Sequence, residues 1–249
     1  MIPKKIHYCW FGGNPLPNTA LKCIESWKKF FPDYEIIQWN EQNYDISKIR
    51  YIKEAYETKK YAFVSDYARF DVLYQYGGLY FDTDVEVIKA FDDILNTGAF
   101  MGCEIDGDKS DKNSILVNPG LGLAIEKGNP LYKEILDYYD TQSFFDFDGT
   151  VNTTTVVTRT TEILLQKGLK NINSIQKVEG ITIYPKDYFN PRNNNTGKLK
   201  KTGDTHSVHW YSQSWVSQRE RIKSRITRPF HRFFGDDCFD VLKRILERK

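Results

Sequence analysis

Two carboxylates, Asp82 and Asp84, stand one residue apart at the end of a short aromatic run, Leu79-Tyr80-Phe81. Hard divalent cations such as Mg²⁺ and Mn²⁺ take oxygen ligands, few of them from protein, with phosphates and water completing the shell. A carboxylate at a strand end supplies one such ligand without caging the metal. In an extended chain, positions i and i+2 share a face. If that conformation persists through Thr83, Asp82 and Asp84 look into one cleft, one ligating metal and the other accepting hydrogen bonds from ribose or sugar hydroxyls. The chemistry this suits is expulsion of a diphosphate, whose rising charge a divalent cation stabilises as a Lewis acid. A bare D-x-D is more often an acidic turn, so its weight here comes from what precedes it.

The stretch before the carboxylates predicts a helix with a sharp stop. Ser65 can cap its start, and Asp66 suits the positive helix end. Asp66 and Arg69, three residues apart, share one helix face, either as ligands for sugar hydroxyls or as a surface ion pair. Phe70, Leu73 and Tyr74 supply the other face. Gly77 is the expected terminator, because glycine accepts the positive φ needed there, and Gly78 lets the backbone pass close to a ligand or neighbour.

The combined pattern, S-D-x-x-R-x-x-x-L-x-x-x-G-G-x-Y-x-D-x-D, closely resembles the D-x-D sugar-binding region of glycosyltransferase family 32. That family includes yeast initiating mannosyltransferases and bacterial capsular polysaccharide synthesis proteins, and the large glucosylating bacterial toxins show a related pattern. The resemblance implies a GT-A fold, a divalent metal and retention of anomeric configuration. It also implies that Asp66, Arg69, Tyr80 and Asp82 serve the donor sugar and the reaction, while Asp84 ligates the metal.

Other stretches extend the resemblance. Ile6-His7-Tyr8-Cys9-Trp10-Phe11-Gly12-Gly13 looks like the family's first strand, where the toxins stack a tryptophan on uracil. Trp10 is read as that platform or as core, and His7 as a satisfied core histidine. Asn118 resembles an asparagine that faces the donor sugar, though a turn asparagine is an equal reading. Near the end, His209, Ser214 and Trp215 match a histidine followed six residues later by a serine-preceded tryptophan. By resemblance His209 is the second metal ligand and Trp215 closes over the diphosphate. The toxins use oxygen ligands there, which leaves Ser212 open, and a structural histidine is the alternative. Imidazole among the ligands favours Mn²⁺ over Mg²⁺. The Gly-Pro that eukaryotic members place near the threonine cluster at 150–167 is missing, so acceptor specificity does not carry across.

The 249 residues suit one large domain, or two small ones at most. A net charge of +2 gives no nucleic-acid signal. No apolar run approaches the ~20 residues a bilayer span needs. MIPKKIHYCW has no signal-peptide pattern, so a cytoplasmic location is expected. The four cysteines lack C-x-x-C spacing, which argues against zinc or a disulfide scaffold.

Alternation of strands and helices predicts a parallel sheet with helices on both faces. Strands are expected at Lys4 to Phe11, Glu35 to Trp39, Val85 to Val87, Phe100 to Glu104, Ile115 to Val117, Ile181 to Tyr184 and up to about Trp210. Helices are expected from Asn18 with Leu21, Ile24, Trp27 and Phe31 inward, over Ser47 to Lys60, over Leu131 to Tyr139, and after a cap at Asn152. Residues 106–113 read as a solvated loop and 190–201 as a mobile one, either a lid over the donor or solvated.

Beyond Trp215 the composition changes. Residues 217–249 hold ten Lys/Arg and five Asp/Glu, net +5, with Ile222, Ile226 and Phe230 interspersed. A basic amphipathic end suggests peripheral contact with the inner face of the cell membrane, or a helix pair packed on the domain.

The sequence therefore predicts an α/β GT-A domain over 1–216, Rossmann-like with a mostly parallel central sheet, and a basic amphipathic segment over 217–249. The expected function is metal-dependent, retaining transfer from a nucleotide sugar, a UDP-sugar, to a glycan hydroxyl in bacterial capsular or other surface polysaccharide synthesis, with a lipid-linked acceptor as one option. The rivals are a metal-dependent phosphohydrolase or phosphotransferase, which leaves Asp66, Arg69 and Trp10 without a role, and a non-catalytic sugar-binding protein.

Overall fold

The computed structural model describes residues 1–111, 114–193, 196–212 and Thr227. The amino-terminal half runs β1 (Lys5–Cys9), α1 (Asn18–Phe30), β2 (Glu35–Trp39), α2 (Arg50–Glu57), α3 (Tyr61–Tyr76), β3 (Gly78–Tyr80), β4 (Val85–Val87) and α4 (Asp92–Leu95). There follow β5 (Phe100–Ile105), β6 (Leu116–Val117), β7 (Leu123–Ile125), α5 (Pro130–Asp140), α6 (Val156–Gln166), β8 (Gln176–Val178), β9 (Ile181–Tyr184), α7 (Lys186–Phe189) and β10 (Ser207–His209).

The main sheet has the order β2-β1-β3-β7-β5-β9-β8, with β6 paired to β5. Strands β2, β1, β3, β5 and β9 run one way, while β7 and β8 run against them. The sheet is thus mixed and mostly parallel, as expected. The antiparallel members are short insertions that the strand-helix alternation did not foreshadow.

Strand periodicity divides the apolar residues between two cores. Ile6, Tyr8, Leu79, Phe81, Phe100 and Tyr184 pack with α1 and α7 on one face. Cys9, Tyr80, Met101, Cys103, Leu123 and Ile183 pack with α2, α3, α5 and α6 on the other. Helices cover both faces, the α/β architecture expected of a GT-A domain. No helix among the described residues is long and apolar enough to cross a membrane.

Several local expectations are corrected. Helix α3 begins at Tyr61, not Ser65; Ser65 lies inside it, its hydroxyl donating to Tyr61 O at 3.2 Å. The Tyr61–Val64 turn buries apolar surface, and that burial overrides the capping preference of Ser65. In α1 the buried stripe is Ala20, Cys23, Ile24 and Trp27, with Leu21 45% exposed. Helix α2 is shorter than the charged stretch around it. The cap of α6 is Thr155, which accepts from Thr158 N, rather than Asn152. Gly77 ends α3 at φ +63°, as expected.

His7 is a satisfied core histidine. Trp39 Nε1 donates to its Nδ1 at 3.0 Å, which places the ring proton on Nε2, facing Gly77 O at 2.9 Å.

Candidate active site

The like-directed strands β1, β3 and β5 end on one side of the sheet, where open α/β sheets bind ligands. A cleft of about 650 Å³ lies there, within the range that holds a small ligand. Its walls include Trp10, Asp66, Arg69, Asp82, Asp84, Glu104, Asn118, His209, Tyr211 and Ser212.

Asp82 and Asp84 face this cleft by a different route from the one expected. The strand stops at Tyr80, and the chain turns, with Val85 N donating to Asp82 O at 3.0 Å. The turn, not strand pleating, brings both carboxylates round. Asp82 N–H is held by Gly120 O at 3.2 Å. Its Oδ1 accepts from the Tyr80 hydroxyl at 3.0 Å and lies 3.4 Å from Arg69 Nη2. Its Oδ2 occupies the space a side chain at residue 120 would fill: a Cβ on Gly120 would lie 2.0 Å from it.

Asp84 is clamped by the end of β10, which pairs antiparallel with β4. Trp210 N donates to Asp84 O at 2.9 Å, Ser212 N to Asp84 Oδ2 at 2.7 Å, and His209 Nε2 lies 3.0 Å from Asp84 Oδ1. Burial would raise the Asp84 carboxyl, but His209 and the Ser212 amide hold it well below the usual carboxylate range. Burial would lower His209; Asp84 outweighs it and holds the imidazole above its ordinary value.

Donor atoms of Asp82, Asp84 and His209 all lie within 4.8 Å of one another. Two carboxylates and an imidazole in that compass fit a divalent cation by donor chemistry. His209 Nδ1 is buried without a hydrogen-bond partner among the described residues, so the ring is not tied down from its far side.

Helix α3 delivers the remaining pair. Arg69 Nη2 donates to Asp66 Oδ1 at 2.8 Å, and both side chains are almost fully buried, so this is no surface ion pair. Arg69 also stacks over Tyr80 at 5.0 Å and donates from Nε to Ser65 O. Its Nη1 is buried with no partner among the described residues. Asp66 additionally takes the Val156 amide at the start of α6. Burial pushes its carboxyl up to about 6, against the pull of Arg69.

Residues 17–101 match the family model described as "Glycosyltransferase sugar-binding region containing DXD motif". The matched stretch spans about a third of the chain and holds Asp66, Arg69, Asp82 and Asp84. The chain is also similar to inositol phosphoceramide mannosyltransferase 3 of Schizosaccharomyces pombe, 27% identical over 139 residues, covering 54% of this chain and 36% of that protein. It is 25% identical over 176 residues to the subversion of eukaryotic traffic protein A of Legionella pneumophila, covering 59% and 26%. The chain thus spans about a third or less of these relatives. Among solved structures, the PaToxG glycosyltransferase superposes with a TM-score of 0.45 at 18% identity, over 67% of this chain and 70% of that one.

The cleft gathers Trp10, Asp66, Arg69, Asp82, Asp84, Asn118 and His209, all singled out from sequence. Trp10 is half-buried on the wall, its Nε1 donating to Asn14 O across the glycine turn. Tyr80 is placed differently: it is 1% exposed behind Asp82 and braces that carboxylate rather than lining the cleft. Asn118 is both turn and wall, its Oδ1 taking Gly120 N and its Nδ2 donating to Glu104. Ser214 and Trp215 lie outside the described residues, as does the segment 217–249 apart from Thr227.

Glu104, Gly120, Tyr211 and the Thr155–Thr158 edge of α6 also shape the cleft. For Glu104 the signal was the strand itself, since it stands near the carboxyl end of β5. Tyr211 carried no signal; its φ of +50° and its ring, 4.2 Å edge-on to His209, appear only in three dimensions.

Proposed function

We propose that this chain transfers a sugar from a nucleoside diphosphate sugar, a UDP-sugar, to a glycan hydroxyl, with Asp82, Asp84 and His209 holding a divalent cation. The observation that carries the reading is the convergence of that donor set with the buried Asp66–Arg69 pair in one cleft. The cation there supplies Lewis-acid stabilisation for the departing diphosphate. The imidazole favours Mn²⁺ over Mg²⁺.

Trp10 presents an aromatic face on which a nucleobase stacks. Arg69, braced by Asp66, Asp82 and Tyr80, offers Nη1, which has no partner among the described residues, to a sugar oxygen, and Asp66 and Asp82 accept from sugar hydroxyls. The sequence resemblance gives Trp215, which lies outside the described residues, the part of covering the diphosphate. Retention follows if the acceptor attacks on the face the leaving group vacates. The acceptor oxygen bonds to the anomeric carbon, the bond from that carbon to the phosphate oxygen breaks, and that phosphate oxygen takes the acceptor's proton. No protein nucleophile is needed.

The biological setting is part of the same proposal: bacterial capsular or other surface polysaccharide synthesis, on a cytoplasmic enzyme whose basic 217–249 segment touches the membrane beside a lipid-linked acceptor. The test is a thermal-shift panel of UDP-, GDP- and dTDP-sugars with Mn²⁺ and with chelator. Binding to the native state raises the melting temperature, so metal-dependent stabilisation by UDP-sugars supports the reading. Absence of a shift with every donor refutes it.

A further inference from the structure

The donor-site reading leaves Glu104 unused, yet it stands on the cleft wall near the carboxyl end of β5. Its Oε2 accepts from Asn118 Nδ2 at 2.8 Å, and the Tyr211 phenol lies beside it. Asn118 in turn accepts Gly120 N on Oδ1 at 2.7 Å, and Asp82 Oδ2 rests over Gly120. Glu104 is therefore linked to Asp82 through one asparagine and one glycine. A carboxylate has about four lone-pair sites, so Asn118 and Tyr211 leave acceptor capacity for a ligand.

The charges on the cleft wall are lopsided. Four carboxylates, Asp66, Asp82, Asp84 and Glu104, line it. Arg69 is the buried arginine that lines it, and Asp66 and Asp82 already flank it; a second buried arginine, Arg159, is not on the wall and is held by Thr154 O, the Tyr138 hydroxyl and Gln142. Lys59 and Lys60 are exposed, and His209 is engaged by Asp84. Among the described residues such a wall accepts hydrogen bonds from hydroxyls, and the buried cation it holds is already flanked by two carboxylates. A carboxylate brought beside Glu104 would be desolvated against like charge without a partner.

We propose that Glu104 is a specificity-determining residue of the donor site: its carboxylate accepts a hydrogen bond from a hydroxyl of the transferred sugar and shuts out donors whose sugar carries a carboxylate. This rests on the nucleotide-sugar reading above. Discrimination here comes from a repulsive group as much as from an attractive one. Asn118 and Tyr211 fix the carboxylate's position and leave its charge intact.

The experiment is calorimetric titration of the full chain, with Mn²⁺, against UDP and GDP. For whichever nucleotide binds, its neutral hexose and its uronate (UDP-glucuronate or GDP-mannuronate) are then compared in wild type and Glu104→Gln. Glutamine keeps an oxygen for Asn118 and Tyr211, so the variant retains the wild-type melting temperature. The uronate is expected to bind about tenfold or more weaker than the neutral hexose in wild type, and Glu104→Gln to narrow that gap to roughly threefold while free-nucleotide affinity stays within about twofold. A uronate that binds wild type as tightly as the neutral hexose overturns the inference alone, as does a gap unchanged by Glu104→Gln. Failure of both nucleotides to bind overturns the donor-site reading and this inference with it.

Discussion

His209 Nε2 lies 3.0 Å from Asp84 Oδ1, while the Ser212 amide holds the other oxygen of the same carboxylate at 2.7 Å. The pair joins the turn after β3 to the end of β10, two elements far apart in the chain, and places an imidazole and a carboxylate where one cation can meet both. Asp84→Asn keeps the shape and the Ser212 bond but removes the negative charge. Turnover is expected to fall by about a hundredfold or more, because the cation that stabilises the leaving group loses an anionic ligand. Mn²⁺ affinity, read by calorimetry, is expected to fall with it. Full activity in Mn²⁺ buffer would remove Asp84 from the metal site.

Arg69 serves two carboxylates at once, Asp66 at 2.8 Å and Asp82 at 3.4 Å. Its removal strands Asp66 in a buried setting and takes a cation from the half-exposed Asp82. Breaking a buried pair by deleting one partner typically costs about 3–5 kcal/mol. Arg69→Met is expected to approach that loss in urea unfolding, and Arg69→Lys to lose less stability but most of its donor affinity, because an ammonium cannot meet the carboxylates through one nitrogen, Ser65 O through a second and the donor through a third as the guanidinium does. Equal urea midpoints for wild type and Arg69→Met would show that neither carboxylate depends on it.

Regular elements were legible where one physical signal dominated. Glu35–Trp39 is a strand to the residue, because its flanks, Pro32-Asp33 and Asn40, break structure on both sides. Gly77 ends α3 because only a positive φ lets the chain turn straight into β3. The start of α3 was misread because Ser65 has a strong local capping preference, whereas the preceding apolar turn is stabilised by tertiary packing that no local pattern reveals. The site was legible as a set of residues but not as a geometry. Asp82 and Asp84 share a cleft through a turn, Tyr80 stands behind the wall, and Asp66 is buried between Arg69 and the start of α6. The antiparallel β7 hid inside a short run after Asn118, where three residues give too little periodicity to read.

Two glycines separate effects on the site from effects on the fold. A Cβ at Gly120 would meet Asp82 Oδ2 at 2.0 Å and Asn118 Oδ1 at 3.0 Å, both movable side-chain atoms at the cleft. Gly120→Ala is expected to keep the fold, displace Asp82 and cut kcat/KM by roughly tenfold or more, as small misplacements of reacting groups do. A Cβ at Gly78 would meet the backbone oxygen of Lys5 at 2.7 Å, at φ +111°. Gly78→Ala is expected to cost about 1–3 kcal/mol of stability, because backbone strain of this kind cannot be relieved by a rotamer change. Urea unfolding and donor kinetics on both variants check the contrast; a Gly120→Ala enzyme with wild-type kinetics would remove the proposed packing of Asp82.

His7 gives a pH dependence of defined sign. Burial pushes its imidazole down to about 4 from 6.5, with the Gly77 carbonyl opposing. The unfolded chain therefore takes up this proton first as pH falls, and stability rises with pH wherever the unfolded state binds more protons. The contribution is complete above pH 6.5, is lost as pH falls from 6.5 toward 4, and is constant below that. A shift of this size corresponds to roughly 3 kcal/mol over the window, at 1.36 kcal/mol per pH unit. His7→Gln retains a neutral acceptor for Trp39 and a donor for Gly77 without a titrating group. It is expected to be about 1 kcal/mol less stable than wild type at pH 7 and to overtake it a little below about pH 6, where wild type has lost a similar amount. Other groups, Asp66 among them, titrate in the same range, so the quantity to measure is the difference in urea midpoint between the two proteins at each pH. A difference that stays constant from pH 7 to pH 4 would mean that His7 is free to protonate in the folded chain.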